Sequence, residues 1–392
     1  MSQEVSRGES PATLLRLAVA LERRLIERIR VLVEMESPSQ DKSAVDRVTK
    51  VVAQWAQEAG ANVRMYPNPK YGASLEARFG DATSEEKPVL LLGHLDTVWD
   101  TGTLKSMPWR EDEHTLSGPG VLDMKAGVVM ALTALEILQR ARVRHHPVIL
   151  LVHADEEIGS LASRPLTEKV ASECRSVFVL EPAQGEEAAY KTARKGVGHF
   201  QLEIEGVASH AGVDFATGHS AVVELARQLI DLAAMSDLKR GLTVNPGVIT
   251  GGSRSNVVAA DASVEIDVRV ESMEDADAVQ KKLTSLSCYD KNCTLRLLGE
   301  INRPPMVRTP AIAALFERAS SYARAMQLEP LHEASTGGGS DGNFTAALGV
   351  PTLDGMGAVG AGAHAAHEHL LKRYLAPRTA LIAAMLLRDE ES

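Results

Sequence analysis

The sequence contains little cysteine. Cys174, Cys288 and Cys293 are the only three in 392 residues, and their spacing is irregular. An odd, scattered set fits neither a disulfide framework nor a paired-cysteine metal site. We therefore expect reduced thiols and a cytoplasmic location.

Long apolar runs and an excess of basic residues are also absent. No apolar stretch approaches the roughly 20 residues that span a bilayer. Near the N-terminus, Arg16, Glu22 and Arg23 interrupt the apolar positions where a secretory signal would be continuous. With 42 basic and 52 acidic side chains the net charge is −10, so nucleic-acid binding has no electrostatic support. We expect neither a membrane nor a nucleic-acid partner.

One short segment organises the rest of the chain. The apolar residues 89–92 predict a buried strand, and His94 and Asp96 follow at its end. Residues two apart in an extended chain point the same way. Asp96 can therefore accept the proton on the second ring nitrogen of His94, which is how a metal-binding imidazole is oriented.

Two further apolar strands end in acidic residues. Residues 147–152 precede Glu156 and Glu157, and residues 176–180 precede Glu181. Open α/β sheets place their sites at the carboxyl ends of the strands. Several acids and a histidine at one sheet edge would repel one another strongly without cations. The pattern therefore predicts a metal centre.

Asp123 is a further candidate for this centre. It follows the turn Gly118-Pro119-Gly120 and stands just before a helical pattern that runs from Met124 to Leu138. A carboxylate between a tight turn and a helix start is well placed to face a site.

The pattern of predicted elements changes twice along the chain, whose 392 residues exceed one ordinary domain. Strands and helices alternate over residues 1–193, which predicts an α/β domain with a mostly parallel sheet. Residues 199–206 and 262–270 alternate apolar and polar positions, and with the helical stretches around them they predict β-α-β-β-α-β. We expect a ferredoxin-like α+β domain over 194–301, inserted in a first domain that resumes over 302–392.

Eight short motifs lie in order along nearly the whole chain. They are HLDTV (94–98), GPGVLDMKAG (118–127), ADEEIGS (154–160), LEP (180–182), ASHAG (208–212), SNVV (255–258), TGGGSD (336–341) and the segment 364–368. Each motif alone is weak, but their joint order is specific. Together they resemble the di-zinc metallopeptidase family of aminoacylase, acetylornithine deacetylase and glutamate carboxypeptidase, with the greatest similarity to the folate-cleaving glutamate carboxypeptidases.

The resemblance implies a zinc-peptidase catalytic domain that holds two Zn²⁺ ions, with Co²⁺ or Mn²⁺ as substitutes. Asp123 would bridge the ions. His94 and Glu181 would complete one site, and Glu157 and His364 the other, in some order. Two imidazoles and three carboxylates suit zinc.

The resemblance also implies catalytic roles. Glu156 would be the general base, and Asp96 would orient the zinc-binding imidazole. His210 is similar to the histidine of the inserted domain that, in this family, reaches across a dimer to stabilise an oxyanion. A histidine followed four residues later by glutamate selects His364 over His367. We therefore expect a homodimer formed through the inserted dimerisation, or lid, domain.

Substrate contacts follow from the same resemblance. Arg269 and Arg303 match arginines that hold a substrate carboxylate, and Asn256 matches an amide that assists them. A guanidinium group pairs with a carboxylate through two hydrogen bonds. Gly338 lies in a turn expected to bring backbone N–H groups close to the substrate. The chain lacks the lysine that the glutamate carboxypeptidases place near Ala189.

The expected function is zinc-dependent removal of a C-terminal amino acid, with glutamate as the first choice, from a small peptide or N-acyl substrate. The first alternative is an N-acyl-amino-acid deacylase that resembles acetylornithine deacetylase or the desuccinylases. The second is a non-catalytic binding protein on the same fold.

Overall fold

The computed structural model describes residues 10–80, 84–185 and 187–388. The chain forms two compact units. Unit 1 comprises Met1–Ala193, Arg308–Thr336 and Ser340–Ser392, and unit 2 comprises Arg194–Val307 and Gly337–Gly339. Among the helices described, none has the length and apolar character needed to cross a membrane.

The helices and strands are numbered along the described chain. The helices are α1 (Pro11–Val33), α2 (Lys42–Glu58), α3 (Ala126–Ala141), α4 (Arg164–Ser172), α5 (Ala221–Ala233), α6 (Met273–Thr284), α7 (Pro310–Ala325), α8 (Gly342–Ala347) and α9 (Leu375–Met385). The strands are β1 (Asn62–Tyr66), β2 (Ser74–Phe79), β3 (Val89–His94), β4 (Arg110–Glu111), β5 (Thr115–Ser117), β6 (Val148–His153), β7 (Ser176–Val179), β8 (Tyr190–Arg194), β9 (Gly196–Glu205), β10 (Thr243–Gly251), β11 (Asp261–Val270), β12 (Thr294–Arg303), β13 (Glu333–Thr336), β14 (Thr352–Leu353), β15 (Gly360–Ala361) and β16 (His369–Leu371).

The main sheet of unit 1 has the order β1-β2-β6-β3-β7-β14. The four strands from β6 to β14 run parallel, while β1 and β2 add an antiparallel edge. Strands β3, β6 and β7 are buried throughout because both faces of the sheet are covered. The prediction of an α/β fold with a mostly parallel sheet is confirmed at the strands that carry the predicted site.

Alternate residues of β3 enter different apolar clusters. Leu91 packs into a large core that includes residues of α1, α3 and α9. Leu90 and Leu92 point to the other face, where Val170 and Ala171 of α4 pack. Packing on both faces of the sheet holds the carboxyl ends of the central strands in fixed positions.

A second, smaller sheet in unit 1 was not predicted. Its order is β15-β16-β5-β4, and its strands have only two or three residues each. His369 of β16 pairs with Ser117 of β5. The pairing brings the loop that follows β5 beside the turn between β15 and β16.

The sheet of unit 2 is antiparallel, with the order β10-β11-β9-β12. Along the chain its elements follow as β9, α5, β10, β11, α6 and β12, so the predicted ferredoxin-like arrangement is confirmed. The apolar face of the sheet packs with residues of α5 and α6 in a separate core.

One predicted boundary differs from the structure. A domain boundary at residue 302 falls inside β12, because this strand pairs with β9 as far as Arg303. Helix α5 ends at Ala233. The Ser236 hydroxyl accepts the backbone N–H of Val244 at 2.9 Å, which draws the chain towards β10 instead.

Candidate metal centre

Three neighbouring strand ends form the base of the site. Because β3 lies between β6 and β7, His94 at the end of β3 stands between the segments that follow the other two strands. Glu156 and Glu157 begin a short 3-10 turn after β6, and Glu181 follows β7. The parallel order therefore gathers side chains that are far apart in sequence.

The first group of side chains surrounds the buried imidazole of His94. Its Nε2 atom lies 3.4 Å from Asp123 Oδ1, 3.6 Å from Glu181 Oε1 and 3.9 Å from Glu156 Oε2. These separations suit ligand atoms that converge on one point between them.

The second group shares Asp123 with the first. Asp123 Oδ2 lies 3.3 Å from His364 Nε2, and the same nitrogen lies 3.1 Å from Glu157 Oε2. The two oxygens of Asp123 therefore face two different imidazoles. Because the side chain of His364 is 52% exposed, the cluster opens to solvent on this side.

The cluster passes two tests for a metal site. His94 Nε2, Asp123 Oδ1 and Glu157 Oε1 are buried and form no hydrogen bond within the described chain, whereas buried polar atoms are normally paired. The candidate ligand atoms of His94, Asp123 and Glu157 lie within 4.8 Å of one another, as do those of His94, Glu156 and Glu181. Imidazole nitrogens and carboxylate oxygens in this mixture suit Zn²⁺. The residues therefore fit a site for divalent metal ions.

The electrostatics of the cluster show that it needs positive charge. Contacts with Asp123 and Glu157 raise the pKa of His364 to about 11. Burial opposes protonation of His94, but Asp123, Asp96 and Glu181 raise its pKa well above the ordinary value. Burial also raises the pKa of Glu157, to about 7. Protons held on the imidazoles balance the carboxylates, and bound cations would replace them.

Asp96 supports the site through two kinds of contact. The Nδ1 atom of His94 is 3.0 Å from the backbone oxygen of Asp96 and 3.4 Å from its carboxylate, so the backbone carbonyl makes the shorter contact. The carboxylate accepts the backbone N–H groups of Glu156 and Glu157, both at 3.2 Å, and the Ser39 hydroxyl at 2.7 Å. Asp96 thus links the end of β3 to the Glu156–Glu157 turn. Sequence reasoning missed Ser39.

The histidine beside this turn has a different role. His153 pairs with His94 across the sheet, but its Nδ1 contacts the Ser74 hydroxyl at 2.9 Å and its Nε2 contacts the Thr167 hydroxyl at 2.7 Å. Both ring nitrogens are thereby used, and burial lowers the pKa of His153. It is a neutral residue of the packed interior.

The loop that presents Asp123 requires glycine at two positions. Gly120 has φ of 70°, and a Cβ there would lie 2.5 Å from Thr97 Cγ2. At Gly127, in the first turn of α3, a Cβ would lie 2.1 Å from the backbone oxygen of Leu180, the residue before Glu181. The helix therefore packs against the backbone that carries a candidate ligand.

Sequence reasoning also missed the buried carboxylate of Glu368. Its Oε1 accepts the backbone N–H groups of Leu122 at 2.8 Å and Asp123 at 3.1 Å. Its Oε2 accepts the backbone N–H of Gly120 at 2.9 Å and the indole N–H of Trp99 at 2.8 Å. Burial raises the pKa of Glu368, and the backbone N–H groups oppose that rise. In the sequence, the only signal was its spacing of four from His364.

Two of the predicted residues lie close together in unit 2. His210 and Val257 form an isolated bridge, and the N–H of Ala211 donates to the backbone oxygen of Asn256 at 3.0 Å. The N–H of Gly212 donates to His210 Nδ1 at 3.1 Å. Because Nδ1 accepts this hydrogen bond, a neutral His210 carries its proton on Nε2.

The other predicted substrate residues lie at one end of the unit 2 sheet. Arg269 of β11 and Arg303 of β12 both pair with Val197 of the central strand β9. The Nε and Nη2 atoms of Arg269 donate to the carboxylate of Asp267, both at 2.8 Å. The Gly338 backbone oxygen accepts a hydrogen bond from Arg194 Nη1 at 3.0 Å. Asp267 and Arg194 were not predicted to take part.

An α/β unit with paired imidazole and carboxylate groups at its sheet edge, together with an inserted ferredoxin-like unit, defines a class of metal-dependent hydrolases. Residues 90–388 match Peptidase family M20/M25/M40, and the chain belongs to this family of metallopeptidases and amidohydrolases.

Individual relatives agree with this assignment. The chain is 30% identical over 306 residues to carboxypeptidase G2 of Pseudomonas sp. (strain RS-16), which covers 77% of this chain and 74% of that protein. It is 27% identical over 309 residues to acetylornithine deacetylase of Klebsiella pneumoniae (strain 342), covering 73% and 74%. The crystal structure of aminopeptidase PepT from Bacillus cereus ATCC 10987 has a similar fold, with a TM-score of 0.75, 20% identity and coverage of 93% and 98%.

Proposed function

We propose that this protein is a di-zinc amidohydrolase that removes a C-terminal amino acid, with glutamate as the first choice, from a peptidyl or N-acyl substrate. One observation carries the proposal. His94, Asp123, Glu157, Glu181 and His364 converge, and the two carboxylate oxygens of Asp123 face different imidazoles at 3.4 and 3.3 Å.

The contacts suggest how these residues would hold two ions. Asp123 would bridge them, with His94 and Glu181 completing one site and Glu157 and His364 the other. The pairing is supported by the 3.6 Å contact of Glu181 with His94 and the 3.1 Å contact of Glu157 with His364. Zinc ions, when bound, supply Lewis-acid activation of a water molecule and of the scissile carbonyl.

Glu156 is our candidate for the general base. It adjoins Glu157 in sequence, but its carboxylate lies near His94 while that of Glu157 lies near His364. One carboxylate can therefore bind metal while the other handles a proton. The Glu156 carboxylate would take a proton from the attacking water and return it to the leaving nitrogen.

We assign to His210 the stabilisation of the oxyanion, in the active site of a partner subunit. Its Nε2 proton is available for donation because Nδ1 accepts the N–H of Gly212. A homodimer through unit 2 is supported by its surface. Strand β10 lies at an edge of the sheet, where Val248 and Ile249 are more than half exposed, and Ile230 of α5 is 72% exposed.

The arginines of unit 2 support a substrate with a free carboxylate. Arg194, Arg269 and Arg303 lie at one end of the sheet, and Arg194 and Arg269 both contact the glycine turn through its backbone oxygens. In our proposal Arg303 and Arg269 bind the substrate carboxylate, and Asn256 and Gly338 add hydrogen bonds from their amide groups.

A deacylase acting on N-acyl amino acids is the second candidate. It is favoured by the bidentate contact of Arg269 with Asp267 and by alanine at position 189. Both features reduce the number of positively charged side chains available to bind a second carboxylate on the substrate. The similarity to acetylornithine deacetylase supports the same candidate.

A hydrolysis panel with added zinc tests the proposal. N-acyl-glutamates, folate analogues, N-acetylornithine and dipeptides would be compared by kcat/KM. We expect the glutamate substrates to give the highest values. Strong preference for amides of basic amino acids would exclude the glutamate assignment.

Glu156→Ala provides the matched control for this panel. It should retain the zinc content of the unmodified protein while kcat falls by roughly 10²–10⁴-fold, since it removes the proton carrier and no proposed ligand. Zinc binding without hydrolysis of any substrate by the unmodified protein would instead support a binding protein.

A further inference from the structure

We propose that Glu368 is a positioning residue for the metal centre. In this role it fixes the loop that presents Asp123 and joins it to the turn that presents His364. The inference rests on the proposed metal-binding role of these two side chains. Glu368 itself would touch neither metal nor substrate.

The hydrogen bonds of Glu368 are saturated. Each of its two carboxylate oxygens accepts two N–H groups, at distances between 2.8 and 3.1 Å, and the residue is fully buried. A carboxylate has about four acceptor positions, so none remains for a metal ion. This geometry distinguishes Glu368 from the carboxylates of the cluster.

The three backbone donors come from the loop before α3. Asp123 and Met124 depart from helical dihedral angles there, with φ of −115° and −133°. Residues Val121–Lys125 form a short helical segment before α3, and the N–H groups at and just before its start have no partner within it. Glu368 provides acceptors for those of Gly120, Leu122 and Asp123, and so determines the path of the backbone that carries Asp123.

Glu368 lies in the same turn as His364. Both lie in the connection between β15 and β16, where the Glu368 N–H donates to the oxygen of Ala365 and the Ala365 N–H donates to that of Gly362. Strand β16 pairs with β5, which leads into the loop that carries Asp123. One side chain therefore connects the candidate bridging ligand with the histidine that approaches its second oxygen.

Glu368→Gln tests this role with little change in volume. An amide nitrogen in place of one carboxylate oxygen would face two N–H donors, so half of the hydrogen bonds would be lost in either orientation. Metal affinity would be measured by competition with a chelator, and metal geometry by the visible absorption of the Co²⁺-loaded protein. We expect about 10–100-fold weaker binding of at least one ion, altered Co²⁺ bands and a similar fall in kcat with little change in KM.

Glu224→Gln is the matched control. Glu224 is also buried, and it accepts the backbone N–H groups of Tyr289 and Asp290 at 2.9 and 3.0 Å, but it lies in unit 2. We expect it to lower stability without changing metal affinity or the Co²⁺ spectrum. Trp99→Phe removes one of the four donors to Glu368 and should weaken metal binding by about two- to tenfold, which keeps the test valid if Glu368→Gln does not fold.

Several outcomes would overturn the inference. These are unchanged metal affinity and Co²⁺ spectrum in Glu368→Gln, unchanged affinity in Trp99→Phe, or equal effects of Glu368→Gln and Glu224→Gln on metal binding. The measurements of metal binding require no substrate, so they test the inference separately from the proposed hydrolysis. A protein that binds two ions but hydrolyses nothing would refute the proposed function alone, whereas one that binds no metal would refute both.

Discussion

Replacement of Gly127 by alanine should damage the metal centre without touching any candidate ligand. The added Cβ would lie 2.1 Å from the Leu180 backbone oxygen and 3.2 Å from the Leu180 carbonyl carbon. Ordinary contact begins at 3.4 Å, so the two backbones must separate by about 1.3 Å (3.4 − 2.1). A backbone oxygen cannot rotate aside as a side chain can.

The change in the free energy of unfolding is the difference between the cost of overpacking and the gain in helix propensity. Overpacking costs about 1–3 kcal/mol, and the rigid backbone contact places this site near the upper end of that range. Alanine recovers about 1 kcal/mol through its better helix propensity. We therefore expect the free energy of unfolding to fall by about 2 kcal/mol, measured by urea denaturation of the metal-free protein.

The same displacement should weaken metal binding, because Leu180 directly precedes Glu181. A misplacement of about 1 Å can cost roughly 100-fold in a preorganised site, so we expect at least a tenfold loss of zinc affinity. Gly247→Ala in β10 is the control, since its added Cβ would lie 3.4 Å from Asn245 Nδ2, which is an ordinary contact distance. Wild-type stability and zinc affinity in Gly127→Ala would show that α3 does not constrain the site in this way.

Three further predictions concern charge in unit 1. The folded-state pKa of His364, about 11, lies above its ordinary value of 6.5. This group therefore stabilises the metal-free protein fully below about pH 6.5, and the stabilisation is lost as the pH rises through 11. Metal binding at pH 7 should release about two protons, measured by calorimetry in buffers of different ionisation enthalpy; heats independent of buffer would contradict this. Asp123→Asn should reduce bound zinc from two ions to one or none by elemental analysis, because the amide provides only one oxygen for two ions; two retained ions would argue against bridging. Arg378→Met should lower the free energy of unfolding by about 3 kcal/mol in urea, because buried Arg378 donates to the backbone oxygens of Gly355, Gly357 and Ala188; an unchanged midpoint would refute this.

The strands of the main sheet could be predicted because apolar composition determines them locally. Residues 89–92, 147–152 and 176–180 are short, mostly apolar runs, and the structure has strands at Val89–His94, Val148–His153 and Ser176–Val179. The strands of the small sheet could not be predicted. Pairing of β5 with β16 joins residues about 250 positions apart in strands of three residues, which leave no periodic pattern.

The candidate site also contains some residues that could be predicted from the sequence and others that could not. His94, Glu157 and Glu181 were predicted from residue type and from their positions after apolar strands, and the structure brings them into one cluster with Asp123 and His364. Glu368 was missed as a functional residue because three of its four donors are backbone N–H groups. Every residue except proline has such a donor, so no sequence pattern indicates this contact.

The hydrogen-bonded pair of Arg269 and Asp267 could not be predicted from the sequence, for a different reason. Alternation along β11 indicates that both side chains share a face, but it does not indicate that they bind each other through two hydrogen bonds. The pairing affects how strongly Arg269 can hold a substrate, and only coordinates reveal it.

The division of unit 1 into separate stretches of chain has a consequence for synthesis on the ribosome. Asp123 and His364 are 241 residues apart (364 − 123), which corresponds to roughly 12–48 s at 5–20 residues per second. The small sheet also requires β16, which is synthesised after His364. A nascent protein therefore cannot assemble the complete candidate metal cluster until His364 has been synthesised, long after Asp123 has left the ribosome.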